Sequence, residues 1–155
     1  MIIDMLLFRR DEELVYRQQG LERFVEAQKR DYQLALAEVR AGKKRSHWIW
    51  YIFPQMYGLG HSCYANLYGI RNRVEAVGYL KHKVLGKRLR EITSALLKHE
   101  DNPADEIFGD LDAMKVKSCM TLFDIISPDD IFAEVLNKFY GQQRCELTIR
   151  MLSEM

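Results

Sequence analysis

The sequence predicts an all-α fold, a single-domain orthogonal bundle of about seven or eight helices. Three observations carry this: apolar residues recur at spacings of three and four along most of the chain, helix starts built on proline recur, and only one short segment has β character. In chain order, Leu21, Phe24, Val25, Tyr32, Leu36 and Val39 form the apolar stripe of a first helix, with Glu22, Glu26, Lys29, Arg30 and Glu38 on its polar face and Gly42 placed to end it. The segment Trp48-Ile-Trp-Tyr-Ile-Phe53 is aromatic and β-branched and reads either as a strand or as a buried helical turn, with Pro54 turning the chain after it. A lone strand has no partner, which is why the all-α class is preferred. A further helix is expected to begin near Ser62.

Asn72-Arg-Val-Glu75 has the form of a capping box variant and opens a helix through Leu80, after which Leu85, Leu89, Ile92, Leu96 and Leu97 make another stripe. Asn102-Pro103 and Ser127-Pro128 each set a capping side chain before a proline at the first helical position, where its missing N–H costs nothing. The first opens a short helix to Phe108, stopped by Gly109; the second opens a helix from Asp129 to Tyr140, with Ile131, Val135, Leu136 and Phe139 inward and Gly141 as the stop. Between them Leu111, Met114, Lys115, Ser118, Leu122 and Ile125 share one helix face. A last helix, from about Cys145 to Ser153, is expected to bury Leu147, Ile149 and Leu152.

At 155 residues the chain fits one domain, here residues 21–155 preceded by an N-terminal extension over residues 1–20. A charged fraction of 29% and a hydrophobic fraction of 48% argue for an ordinary soluble globular protein and against disorder or a fibrous class. Three widely spaced cysteines fit neither a disulfide framework nor a metal knuckle, so a reducing, cytoplasmic setting is expected. The apolar start is broken by Asp4 and followed by Arg9-Arg10-Asp11-Glu12-Glu13, the wrong polarity for a signal peptide, and no apolar run approaches the ~18 residues of a membrane span. His47, His61, His82 and His99 lack metal-ligand spacing, and no Gly-x-Ser-x-Gly elbow exists, so neither a metal, a cofactor nor a hydrolase triad is expected.

Charge and aromatic rings are distributed unevenly. Residues 39–74 contain no acidic residue, six of the Lys and Arg residues and 7 of the 17 aromatics, against a net charge of only +1 for the whole chain. Cations balance phosphate and rings stack on planar groups, so this window points to an anionic, planar ligand. Within it, Lys43, Lys44 and Arg45 follow a helix C-terminus, where basic residues are favoured electrostatically whether or not they also contact phosphate. Ser46, His47 and Trp48 offer a cap, a titratable ring and an indole donor in succession. Trp48, Trp50 and Phe53 read more readily as core than as a ligand shelf, in which case the indoles need buried acceptors. Gln55 offers an amide to a ligand or to its own turn, and Gly60 and Ser62 lie in a glycine-rich loop leading into a helix.

Asp112, Lys115 and Ser118 fall at i, i+3 and i+6, with Thr121 a further turn on, and form a second half-site. Asp112 and Lys115 make either an ion pair or a ligand contact with acid or base capacity. The acidic group Asp105, Glu106, Asp110 and Asp112 is opposite in sign to the basic window and complements it if the fold joins the two. The candidate catalytic residues are therefore His47, Asp112 and Lys115. The candidate ligand contacts are Lys43, Lys44, Arg45, Ser46, Trp48, Gln55, Gly60, Ser62, Ser118 and Thr121. The function expected is binding of a small anionic molecule, a nucleotide or ADP-ribose-like compound, with hydrolysis of it as a further expectation. The alternative is a non-catalytic regulatory module with a protein or nucleic acid partner.

From Gly42 to Gly69 the chain contains Ser46-His-Trp-Ile-Trp50, Phe53-Pro-Gln55, Gly58-Leu-Gly60 and Tyr68-Gly-Ile70, and farther on Ile107-Phe-Gly109, Asp112, Lys115, Ser118 and Met120-Thr-Leu-Phe123. In these motifs and their order it resembles the bacterial family catalogued as domain of unknown function 1810, over roughly Leu21 to Leu152. The resemblance implies a small, mainly helical bacterial protein and supplies no activity. The calpastatin-like label sometimes given to the family fits poorly, because such inhibitors are disordered and this chain has an evident core. Against the family pattern, Lys83 replaces a proline, Cys119 a serine and Cys145 an aspartate.

Overall fold

A computed structural model describes residues 20–155. The expected N-terminal extension lies almost wholly outside these residues. Among the described residues there are nine helices and no strand, which bears out the all-α class; three of the nine have six residues or fewer. They are α1 (Glu22–Ala41), α2 (Ile49–Ile52), α3 (Cys63–Tyr68), α4 (Arg73–Lys81), α5 (Leu85–Leu97), α6 (Ala104–Phe108), α7 (Asp110–Ile126), α8 (Ile131–Tyr140) and α9 (Glu146–Ser153).

Local signals account for several boundaries. Gly42, at φ 78°, ends α1 in the left-handed conformation, its N–H reaching the Glu38 and Val39 carbonyls. Ser62 Oγ caps α3 by accepting from the Ala65 amide at 3.1 Å, and Asn72 Oδ1 caps α4 by accepting from the Glu75 amide at 2.9 Å. The aromatic segment settles as a helical turn, α2, and the only bridge of β type among the described residues joins Met56 to Ile70.

Both proline starts shift. Pro103 itself occupies the cap position of α6, while the Asn102 side chain is engaged with His99 Nδ1 at 3.1 Å. Ser127 donates instead to Asp130, and it is Asp130 that caps α8, because Asp129 at φ 56° holds the chain out of the helix until Ile131. Burial departs from the expected stripes as well. Leu111, Met114, Leu147 and Ile149 are exposed, and the inward side of α7 is formed by Ala113, Val116, Cys119, Met120 and Phe123. Small and large apolar residues on that side fit against the other helices, whereas the expected stripe is covered only toward its C-terminal end, where Ser118 and Leu122 are buried.

Helix α7 is the centre of the bundle, touching α2, α4, α6, α8 and α9. A run of rings crosses the core around it: Phe24 of α1 meets Tyr79 of α4 edge-on at 5.0 Å, Tyr79 meets Phe123 of α7 at 5.5 Å, and Phe123 meets Phe132 of α8 at 5.7 Å. Such packing fixes α7, and with it any side chain projecting from its outer face, relative to the loop that follows α1.

Candidate functional site

The loop after α1 folds around one carboxylate. Glu38, expected on the polar face of α1, is 7% exposed and accepts from the Arg45 amide at 2.8 Å, the Ser46 amide at 3.0 Å, the Ser46 hydroxyl at 2.7 Å and the Trp48 indole at 2.9 Å. Burial by itself would raise its pKa and favour the neutral form; the four donors outweigh that and hold the carboxyl below its ordinary value. Trp48 is thereby fixed in the core with its indole donor satisfied, as the core reading of that residue requires. The one sequence signal pointing to Glu38 was that need for a buried acceptor.

Held in this way, the loop turns Lys44 inward between two exposed neighbours, Lys43 and Arg45. The Lys44 amide donates to the Ile107 carbonyl at 2.7 Å and its ammonium to the Ser46 carbonyl. The same ammonium lies 2.8 Å from Asp112 Oδ2 and 5.0 Å from the centre of the Trp48 ring. The other oxygen of Asp112 takes Lys115 at 3.1 Å. Charges therefore alternate from the interior outward through Lys44, Asp112 and Lys115, and Glu38 joins this chain only through Ser46, which donates to it and accepts from Lys44. Lys44 is 7% exposed in its side chain and Lys115 28%, so the chain ends at the surface on a cation.

That cation sits beside rings. Lys115 Nζ is 5.2 Å from the centre of the Trp50 ring, which stacks on Tyr64 at 4.9 Å and 29°, and Tyr64 stacks in turn near Tyr68 at 6.4 Å and 13°. Unlike Trp48, Trp50 is only half-buried, and Tyr64 is 54% exposed. Gly60 belongs to the loop leading into α3; a Cβ there would come within 2.9 Å of Ala65 Cβ, so the absent side chain lets the loop close against α3, with Gln55 Nε2 3.6 Å from the same point.

The predicted half-sites thus meet: Lys44, Ser46 and Trp48 come from the loop after α1, Asp112 and Lys115 from α7. Other candidates are engaged within their own elements or exposed. Ser118 donates to the Met114 carbonyl and Thr121 to the Lys117 carbonyl, as hydroxyls on helices commonly do. Ser62 is occupied as the cap of α3. His47 is exposed, its carbonyl near the Tyr51 hydroxyl at 3.3 Å. Trp50 and Tyr64 were absent from the sequence-predicted contacts, since nothing in the pattern tells which of two neighbouring tryptophans faces outward.

Asp105 and Glu106 of the acidic group meet the basic window along an open depression of about 390 Å³, which Lys43, Lys44 and Phe108 also line. Two carboxylates on that wall oppose an anion, so the surface of Lys115, Trp50 and Tyr64 is the better candidate for one. No cluster of metal-ligating side chains exists among the described residues, and none of their helices is long and apolar enough to cross a membrane.

Among solved structures, a conserved hypothetical protein of Mycobacterium tuberculosis, Rv1873, is similar to this chain: 41% identical, covering 87% of this chain and 97% of its own, with a TM-score of 0.85. No curated protein matches. The model of the family described as "Protein of unknown function (DUF1810)" matches residues 18–152, and the chain belongs to that family.

Proposed function

We propose that this protein binds a small anionic molecule with a planar group, a nucleotide or ADP-ribose-like compound, at the surface formed by Lys115, Trp50 and Tyr64. The observation that carries the reading is the outer end of the charge chain: a cation, Lys115, anchored through Asp112 and Lys44 to the core and set against the half-buried Trp50 ring, which stacks on the exposed Tyr64 ring. The cation would meet the phosphate and the rings the planar group. Asp112, with an oxygen on each lysine, acts as the positioning residue. His47 is the titratable group left for any hydrolysis of the bound molecule.

A second reading, a non-catalytic module for a protein or nucleic acid partner, draws on Leu111 and Met114, which are exposed on the same outer side of α7 as Lys115. The test is tryptophan fluorescence and thermal shift with inorganic phosphate, ADP, ADP-ribose and a short single-stranded oligonucleotide. Saturable 1:1 binding of ADP or ADP-ribose, lost in Lys115→Met and in Trp50→Leu while folding is kept, is the expected result, and product analysis of the bound mixture reports hydrolysis. Binding of the oligonucleotide alone, with steep loss in salt, or of none of the probes, overturns the reading.

A further inference from the structure

The support that holds Lys115 occurs twice in this molecule. Lys115 is paired with Asp112, whose other oxygen is taken by the inner Lys44. On the polar face of α1, Arg30 Nε donates to Asp31 Oδ2 at 3.2 Å, and the same oxygen accepts from the hydroxyl of the buried Tyr51. The Arg30 guanidinium lies 6.0 Å from the centre of the Tyr51 ring, as Lys115 Nζ lies 5.2 Å from that of Trp50. Each is an outward cation paired with an aspartate that a donor from the interior also engages, and each sits beside one of two successive aromatic residues of α2. Arg30 is 69% exposed in its side chain, so its charge is offered to solvent.

The two cations stand at the two ends of one run of rings. From Lys115 the order of contact is Trp50, Tyr64, Tyr68 and Tyr51, with successive ring centres 4.9, 6.4 and 5.0 Å apart, and then Arg30. The middle pair belongs to α3, where Tyr64 and Tyr68 are neighbours one helical turn apart and their planes differ by 13°. Tyr64 is exposed and Tyr68 half-buried, so planar surface along the run reaches solvent. Cations set apart by several rings match anionic groups that are set apart in the ligand. The two phosphorus atoms of a contiguous diphosphate share one oxygen and cannot reach both ends. An arginine fork takes a phosphate through two N–H groups at once, and a side chain already held by Asp31 loses little freedom when it does so.

We infer that Arg30 is a second anion contact of the ligand surface, and that the ligand is a nucleotide with phosphates on separate oxygens, a nucleoside 3′,5′-bisphosphate. One phosphate meets Lys115, the base lies along Trp50, Tyr64 and Tyr68, and the other phosphate meets Arg30. This rests on the ligand reading above and adds to it the choice between separated and contiguous phosphates. Arg30 determines that choice, and Asp31 with Tyr51 positions it.

The experiment is calorimetric titration of the full chain with adenosine 3′,5′-bisphosphate and with ADP. The bisphosphate is expected to bind about tenfold or more tightly than ADP, the difference that one charge-assisted contact supplies. Arg30→Met should reduce that preference to less than about threefold while leaving ADP affinity within about twofold, and Arg30→Lys, which keeps the charge without the fork, should fall between. Lys115→Met should weaken both nucleotides together. Thermal melting checks that each variant is folded. Equal affinity for the two nucleotides in the wild type, or a preference that survives Arg30→Met, overturns the second contact and leaves the reading at Lys115 standing. Failure of both nucleotides to bind overturns the two together.

Discussion

Two ion-pair sites in this molecule use the same parts to different ends. On one side, Arg23 of α1 is 2% exposed in its side chain and sits 4.3 Å from the centre of the Phe24 ring; it donates to Glu75 at 2.7 Å, to the Leu67 carbonyl at 2.7 Å and to the Gly69 carbonyl at 2.8 Å. On the other, Lys44 and Lys115 divide the two oxygens of Asp112, each beside a tryptophan. The arginine fork reaches from α1 to the Glu75 carboxylate of α4 and to backbone carbonyls at the end of α3, and so joins three elements. The lysine pair is graded, one ammonium inside and one at the surface, and the outer one has rings and solvent for company. Saturation marks a structural joint, whereas the cation left at the end of a supported chain is the one to which the proposed ligand is assigned.

The largest effect that would break this comparison is at the fork. Arg23→Ala leaves the Leu67 and Gly69 carbonyls and the Glu75 carboxylate short of a buried partner, and about 3–5 kcal/mol of stability should be lost. Urea denaturation measures it; a loss below about 1 kcal/mol would mean that the fork is not a joint.

Next in size is Glu38→Gln, which keeps the shape of the loop anchor and removes its charge, at about 1.5–3 kcal/mol. Because the folded carboxyl is held below its ordinary value of 4.5, its contribution is fully present above that pH and is lost as pH falls through the lower folded value. The stability gap between wild type and Glu38→Gln should therefore narrow on acidification from pH 6 to pH 3. A gap that stays constant with pH would assign the loss to geometry instead of charge.

How much of this was legible in the sequence follows from where each decision is made. Gly42, Ser62 and Asn72 were readable as boundaries because a stop or a cap is settled within four residues of chain. Asn102 and Ser127 were misread because their side chains are taken by His99 and Asp130, a choice made by the surrounding structure. Helix α7 carries two apolar stripes at helical spacing, and only its neighbours decide that Ala113, Val116 and Met120 go inward while Leu111 and Met114 stay out. The basic window and Asp112 with Lys115 were found as separate half-sites from charge and spacing. Their junction was not readable, since it depends on Glu38 turning a single lysine of the Lys43-Lys44-Arg45 run toward α7.

Within the lysine pair the comparison sharpens. Lys44→Met removes the inner ammonium but leaves Asp112 with Lys115, so its cost should be about 1–2 kcal/mol, short of the loss at the fork. The lost hydrogen bond to the Ser46 carbonyl and the contact with the Trp48 ring make up that cost. If Lys44→Met proves as damaging as Arg23→Ala, the two sites are alike and the graded description fails. Calorimetric melting of both variants in one buffer makes the comparison direct.

The smallest expected change in stability belongs to the residue on which most of the functional argument turns. Lys115 is 28% exposed in its side chain, and its carboxylate partner keeps Lys44, so Lys115→Met should move stability by less than about 1 kcal/mol in either direction. Methionine retains the contact with the Trp50 ring while losing the charge. A structural residue would have to lose stability in proportion to its importance, but a binding residue can be removed at almost no structural cost. A near-silent melt together with lost response to ADP or ADP-ribose would therefore set Lys115 apart from Arg23 in kind, and a large loss of stability would return it to the ordinary class of buried ion pairs.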